Sequence, residues 1–257
     1  MAAMFDYGLA LSGGGARGFA HLGVAQALDE AGIQPGIYAG TSAGAIAAAF
    51  LADGFTPEEA LEVFLQQKLF RIIGLSIPKL GLGNIQGMER LLKKHLKARR
   101  IEDLNLPLVL AATDLNAGQV RYFDRGELMP RIIASASIPI LFQPVRIDDR
   151  LYIDGGITDM LPVAPLEDRC RKIIGVDVNP GGYREDFHSL VSIAERVFYL
   201  SFSTLMAEKR EKLHLLVSPG GLEAYSWLDL SHSREIYRLG YEAAKAALQK
   251  ASRNEGN

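Results

Sequence analysis

Two periods of apolar residues take turns along the chain. Residues 7–12 form a short apolar run that stops at Gly13-Gly14-Gly15, the mark of a buried strand. Residues 19–31 follow with apolar positions at helical spacing, closed by Gly32 and by Pro35 just beyond. The alternation resumes at Ile37-Tyr38-Ala39, which leads through Gly40 to an alanine-rich helical stretch, residues 45–52, ending at Gly54. Thr56-Pro57-Glu58-Glu59 is a strong helix start: threonine cap, proline in the first position, acids in the first turn. That helix is expected to reach about Lys68. Residues 69–86 break the rhythm, because Leu, Ile and Phe are interspersed with Gly74, Pro78, Gly81 and Gly83. A basic helix is predicted over 87–100, strands over 107–112 and 119–123, and a helix over 127–135 stopped by Ser137-Ile138-Pro139. Residues 145–147 and 151–153 form a hairpin around Asp148-Asp149. Short helical residues 165–169, a strand over 173–178, a long helix over about 188–209, a strand over 213–217 and a helix over 233–250 complete the pattern. Strands alternate with helices, without repeats or a linker, so the expectation is one three-layer α/β/α domain over 1–257 with a central, mainly parallel sheet.

Composition narrows the class. A chain of 257 residues can bury a sizeable core, and 48% hydrophobic with 23% charged residues fits a soluble globular protein. The net charge of −2 lacks the basic excess of a nucleic-acid binder. Cys170 is the lone cysteine, so no internal disulfide can form and a reducing compartment suffices. No stretch of about 18 uncharged apolar residues occurs, and Met1–Asp6 lacks the basic region of a signal peptide. The expectation is a cytoplasmic protein. No HExxH and no cysteine pair is present, so neither a metal nor a cofactor is expected.

The candidate chemistry starts at Gly40-Thr41-Ser42-Ala43-Gly44, between a strand and a helix. A sharp turn there presses the residues two before and two after the serine together, so both must lack a side chain. Ser42 is thereby held out at the carboxyl edge of the sheet as a candidate nucleophile. Gly13-Gly14-Gly15-Ala16-Arg17-Gly18, also between strand and helix, offers converging backbone N–H groups for an oxyanion. It also satisfies GxGxxG, but the next strand ends without the carboxylate that a dinucleotide ribose needs. For the base, His188, His214 and His232 follow the serine in the order of an α/β-hydrolase triad. Only one strand precedes the elbow strand, however, which is too few for that fold. His21 and His95 fall within helices. Among the carboxylates at predicted strand ends, Asp114, Asp154 and Asp177, Asp154 is set apart by Gly155 and Gly156, which permit close backbone approach.

These three motifs, in this order, resemble the patatin-like phospholipase family. Ala134-Ser135-Ala136-Ser137-Ile138-Pro139 and Phe142-Gln143-Pro144-Val145 resemble the family's stretch before the aspartate, and the likeness runs over about residues 7–178. The resemblance implies a Ser–Asp dyad without histidine: Ser42 as nucleophile, Asp154 as proton acceptor, and an oxyanion hole at Gly13, Gly14 and Gly15 with Arg17 steadying the loop. Gly18, Gly40, Gly44, Gly155 and Gly156 would be its motif glycines. It implies lipid acyl esters, of phospholipid or lysophospholipid type, as substrates. Ser12 stands where many members have an aspartate, which leaves backbone donors untouched. The segment 69–82 is expected to wall the acyl pocket or to act as a lid. The basic helix 87–100, with Arg90, Lys93, Lys94, Lys97, Arg99 and Arg100 against Glu89, has the composition of a peripheral membrane contact. Acyl transfer through the same dyad and a non-catalytic lipid-binding role stay open as alternatives.

Overall fold

The computed structural model describes residues 4–66, 85–179, 181, 193, 196–197, 200, 206–228 and 230–255. The expected lid segment therefore falls outside the described residues, as does most of the expected helix 188–209. Among the described residues, eight strands form one sheet. β1 (Phe5–Leu11), β2 (Ile37–Thr41) and β3 (Leu108–Asp114) are parallel neighbours. On the other side of β1, β7 (Cys170–Val176) and β8 (Leu215–Val217) continue the parallel order. Beside β3 the sheet turns antiparallel through β4 (Gln119–Phe123), β5 (Val145–Ile147) and β6 (Arg150–Asp154).

The pleat sends successive side chains to opposite faces. Leu9, Leu11, Tyr38, Leu110 and Ile174 pack on one face against α1 (Phe19–Glu30), α2 (Ala43–Ala52) and α3 (Pro57–Gln66). Ala10, Ile37, Ala39, Val109 and Ile173 meet Met160, Leu161, Val163 and Met206 on the other. Both faces are buried, as a doubly covered parallel sheet requires. The threonine cap expected at Thr56 is present, and with Glu59 it forms a capping box. Thr56 N–H donates to Glu59 Oε2 at 2.9 Å, and Glu59 N–H donates to Thr56 Oγ1 at 3.2 Å.

The basic helix is shorter than its composition predicts. α4 (Gln86–His95) stops five residues early, because the Asp53 carboxylate accepts the Lys97 and Ala98 N–H groups, at 2.6 and 3.2 Å, and draws the chain out at Leu96. Leu91, Leu92 and Leu96 are core residues, while Arg90, Lys93, Lys94, Lys97, Arg99 and Arg100 are exposed. Residues 165–169 hold only a 3₁₀ turn, Ala164–Leu166, since β7 begins at Cys170 and leaves no length for a second turn.

α5 (Leu128–Ser135) lies beside β3, α6 (Met206–Glu211) precedes β8, and α7 (Ser233–Glu255) crosses α1. This last crossing is very close. A Cβ on Gly240 would sit 2.1 Å from the Ala20 carbonyl oxygen, and one on Gly23 would sit 1.9 Å from that of Tyr237. Gly240→Ala gains about 1 kcal/mol of helix propensity, yet it must push two backbones apart. The expected net result in urea denaturation is a loss of about 1–3 kcal/mol. Gly220→Ala, where a Cβ meets nothing within 4 Å, should leave the midpoint unchanged.

Candidate active site

β3 has two edges, and β4 occupies one of them over residues 110–114. β2 pairs with 108–111 and β6 with 112–114, both overlapping β4, so these two strands share the opposite edge. They run toward each other along it. Thr41 is the partner of Ala111 and Asp154 is the partner of Ala112, so the carboxyl ends of β2 and β6 abut. Each chain must turn away at that point. Ser42 and Asp154 are the residues at the two turns, 112 positions apart in sequence and brought together by the ladder.

The turn at Ser42 is sharp. Its φ of 53° and ψ of −119° are strained for a residue with a Cβ. A Cβ on Gly40 would meet the Gly44 carbonyl oxygen at 2.5 Å, and one on Gly44 would meet the Leu11 and Ser12 carbonyl oxygens at 2.3 and 2.5 Å. The close contact between the two glycines that their spacing predicts therefore occurs, and Gly44 is in addition pressed against the end of β1. The strained peptide is pinned from outside: Ser42 N–H donates to Ser135 Oγ at 2.9 Å, and that hydroxyl donates to Ala111 O at 2.6 Å. Thr41 Oγ1 donates to Asp159 O at 2.9 Å. The Asp159 carboxylate, itself buried, accepts from Tyr122 Oη and Lys209 Nζ.

Asp154 is 1% exposed. Its N–H donates to Ser137 O at 2.9 Å, and its Oδ1 accepts the Gly156 N–H at 2.8 Å. A Cβ on Gly155 would lie 2.3 Å from Ala111 O, which is the close approach expected of a glycine after this aspartate. Burial pushes the carboxyl up to about 7, and hydrogen bonding from Ser42 and Gly156 draws it partly back. Oδ2 closes no well-aligned hydrogen bond. The serine–aspartate contact is thus a loose one, as such pairs commonly are before substrate aligns them.

The glycine loop passes directly beside the elbow, with the Gly13 Cβ position 3.3 Å from Ser42 Cβ and that of Gly18 2.6 Å from Ala43 Cβ. Its three amides are not equivalent. Gly13 N–H donates to Met160 O at 3.1 Å, whereas the Gly14 and Gly15 N–H groups have no acceptor among the described residues. Gly15 has φ +57°, and Ala16 N–H donates to Trp227 O at 2.6 Å. Arg17 is buried, its Nε donating to Tyr225 O at 2.9 Å. The loop is therefore clamped to residues 225–227.

The described histidines lie elsewhere. His21 sits behind the glycine loop with Nε2 donating to Ser12 O at 2.7 Å, and burial pushes its pKa down to about 4, so it is neutral. His95 ends α4, and the His232 ring packs 5.2 Å from that of Tyr225, tilted by 54°. His214 opens the approach to β8, its N–H donating to Ile173 O, and His188 lies outside the described residues. No described histidine lines the cavity at Ser42. That cavity is apolar, walled by Phe19, Leu22, Ile46, Phe64, Ile138 and Trp227, with Ser42 and Gly15 at its surface. Asp114 and Asp177 cap their own chain turns, accepting from Asn116 and Asn179 N–H respectively.

Two serines at the site, Ser135 and Ser137, do not stand out in the sequence, although both lie in the segment before Pro139. By themselves they read as small polar residues closing a helix, an ordinary helix stop, and only the resemblance of residues 134–139 to the family's stretch before the aspartate marks them. Asn179 is equally inconspicuous, yet β7 places it at the same sheet edge as Ser42.

The chain matches the family model of the patatin-like phospholipases over residues 9–167. An NTE family protein of Mycobacterium tuberculosis is 39% identical over 160 residues, covering 62% of this chain and 44% of that protein. The lysophospholipase nte1 of Emericella nidulans is 28% identical over 280 residues, 95% of this chain and 18% of its own length. This chain therefore spans less than half of either relative. Among solved structures, VipD of Legionella pneumophila superposes with a TM-score of 0.61 over 97% of this chain and 68% of its own, at 14% identity. Full-length ExoU of Pseudomonas aeruginosa, in its complex with SpcU, gives 0.53 over 97% and 53%, at 16% identity. The two structures share the fold; the family match extends from the first strand past the aspartate loop, and the chain belongs to the patatin-like phospholipase family.

Proposed function

We propose that the protein is a lipid acyl hydrolase working through Ser42 and Asp154. One observation carries the reading: a strained serine faces a dehydrated carboxylate at the rim of an apolar cavity. An aspartate is ordinarily too weak a base near neutrality, and burial corrects that by bringing its pKa to about 7. The ester acyl chain lies in the cavity with its carbonyl carbon at Ser42 Oγ. As Oγ attacks, its proton passes to Asp154, and the carbonyl oxygen becomes an oxyanion held by the Gly14 and Gly15 N–H groups. Collapse of that intermediate breaks the ester bond, and Asp154 returns the proton to the leaving alcohol. Water then attacks the acyl-serine, giving its proton to Asp154, and the fatty acid leaves as Ser42 recovers its hydrogen. The fungal relative's name points to lysophospholipids as the substrate class to try first. The cationic face of α4 and the residues after it, Arg90, Lys94, Lys97 and Arg99, adjoins the cavity wall through Ile85 and Met88, and we assign it electrostatic contact with anionic lipid surfaces.

Hydrolysis of p-nitrophenyl esters and of lysophospholipid by Ser42→Ala and Asp154→Asn should fall by about a thousand-fold or more. Asp154→Asn at wild-type rates would remove the base from this mechanism.

The raised pKa fixes two signs. The base works deprotonated, so kcat/KM should climb to a plateau above about pH 7. Between the ordinary value of 3.8 and about 7 the folded state keeps a proton that the unfolded chain has lost, so stability falls as pH rises through that window. Asp154→Asn should therefore raise Tm at pH 8 and leave it unchanged near pH 4; equal shifts at both values would contradict the assignment.

Sedimentation with phosphatidylserine vesicles should decline about ten-fold on reversing two of the α4 cations, and with added salt. Binding that is indifferent to both would exclude this face.

A further inference from the structure

Glycine peptides have no side chain to fix their planes, so a loop of three glycines does not by itself aim its N–H groups. Something must hold them. Resting on the hydrolase reading above, we infer that Asn179, with Ser12, is the positioning element that turns the oxyanion donors toward Ser42.

A trans peptide is planar, so the carbonyl of one residue and the N–H of the next point in opposite directions. Gly13 O accepts from Asn179 Nδ2 at 2.9 Å and from Ser12 Oγ at 2.9 Å. Asn179 follows β7 and Ser42 follows β2, and these strands flank β1 on opposite sides. Drawing the Gly13 carbonyl to the β7 side therefore turns the Gly14 N–H to the β2 side, where Ser42 sits. Gly14 O is held in the same manner by Arg17 N–H at 3.2 Å, which sets the Gly15 N–H. The preceding peptide is fixed at both ends, by His21 on Ser12 O and by Met160 O on Gly13 N–H.

Asn179 is equipped for this task and its own orientation is determined. Its second amide hydrogen goes to Asp177 Oδ1 at 3.1 Å, and the same oxygen accepts its backbone N–H at 3.0 Å. Ser12 Oγ accepts Val178 N–H at 3.1 Å and so is bound to give its hydrogen to Gly13 O. Both clips depend on the end of β7, with Asn179 lying 166 residues further along the chain than the loop glycine it holds. The contacts lie on the side of the loop away from Ser42, so Asn179 acts through the peptide plane alone.

The test compares wild type with Asn179→Ala, Asn179→Asp, Ser12→Ala and the double Ala variant on a p-nitrophenyl ester, with Ser42→Ala as the blank. Inhibition by an alkyl boronic acid is read alongside, since its serine adduct carries a negative oxygen in the hole. Asn179→Ala is expected to lower kcat about ten- to a hundred-fold, less than loss of a donor itself. KM should stay within about three-fold, and the boronate Ki should rise in step with the fall in kcat. Asn179→Asp keeps the shape and removes the donor, so it should be at least as slow, which guards against a truncated variant that folds poorly. Ser12→Ala alone should cost less, and the double variant should exceed the product of the singles, because each clip covers for the other on one carbonyl. Ser42-dependent turnover with kcat and boronate affinity unchanged in the double variant would overturn this inference and leave the hydrolase reading intact. A rise in KM at constant kcat would overturn it as well. Absence of Ser42-dependent turnover in wild type would bring down both.

Discussion

Two strands meeting head-on along one edge of β3 are the constraint from which the site follows. β2 and β6 each supply ladder hydrogen bonds to β3 until they collide, and the chain must leave the sheet at both ends in the space of one residue. Such departures need backbone without side chains nearby, which is the place of Gly40, Gly44 and Gly155. They also leave one side chain from each strand in a gap sealed by sheet, helix and loop. A serine and an aspartate in that gap are close together and both buried, Asp154 on all sides and Ser42 except toward the apolar cavity.

This arrangement opposes stability in two places, at the Ser42 backbone and at the dehydrated Asp154 carboxyl. A strained residue of this kind costs about 1–3 kcal/mol and persists only where its surroundings over-determine it. The surroundings here are specific. Ser135 takes the Ser42 N–H, Ser137 takes the Asp154 N–H, and Asp159 takes the Thr41 hydroxyl while tied to Tyr122 and Lys209. These partners are spread over several elements, so the elbow is held by the packed domain and not by its own turn.

Local chemistry is legible in the residues themselves. The glycine spacing around Ser42 and after Asp154 implies close contacts that occur as expected, and the apolar runs mark nearly every strand of the sheet. Pairing is not legible: nothing near Ala111 or Ala112 tells which strands share their edge, because a fully buried strand is apolar on both faces and carries no record of register. Helix ends depart from expectation for a related reason. The composition of residues 96–100 suits a helix, and it is Asp53, more than forty positions earlier, that takes the Lys97 and Ala98 N–H groups. The difference among the three loop glycines is hidden too, since identical residues in sequence differ only in which carbonyl lies opposite each amide.

The sheet order has a consequence for how the chain comes into being. β1 lies at the centre of the sheet between two neighbours far apart along the chain, since β2 begins at Ile37 and β7 only at Cys170. While the polypeptide is being synthesised, β1 and β2 can pair, but one edge of β1 has no partner, and the glycine loop lacks the support that arrives after β7. Long-range parallel pairing of this sort is slow to form and leaves strand edges open meanwhile. The serine motif thus leaves the ribosome well before the residues that surround it in the folded chain, and a nascent or truncated chain ending before residue 179 would carry Ser42 in an unfinished setting. The surroundings of Ser42 are complete only once the sheet has closed around β1.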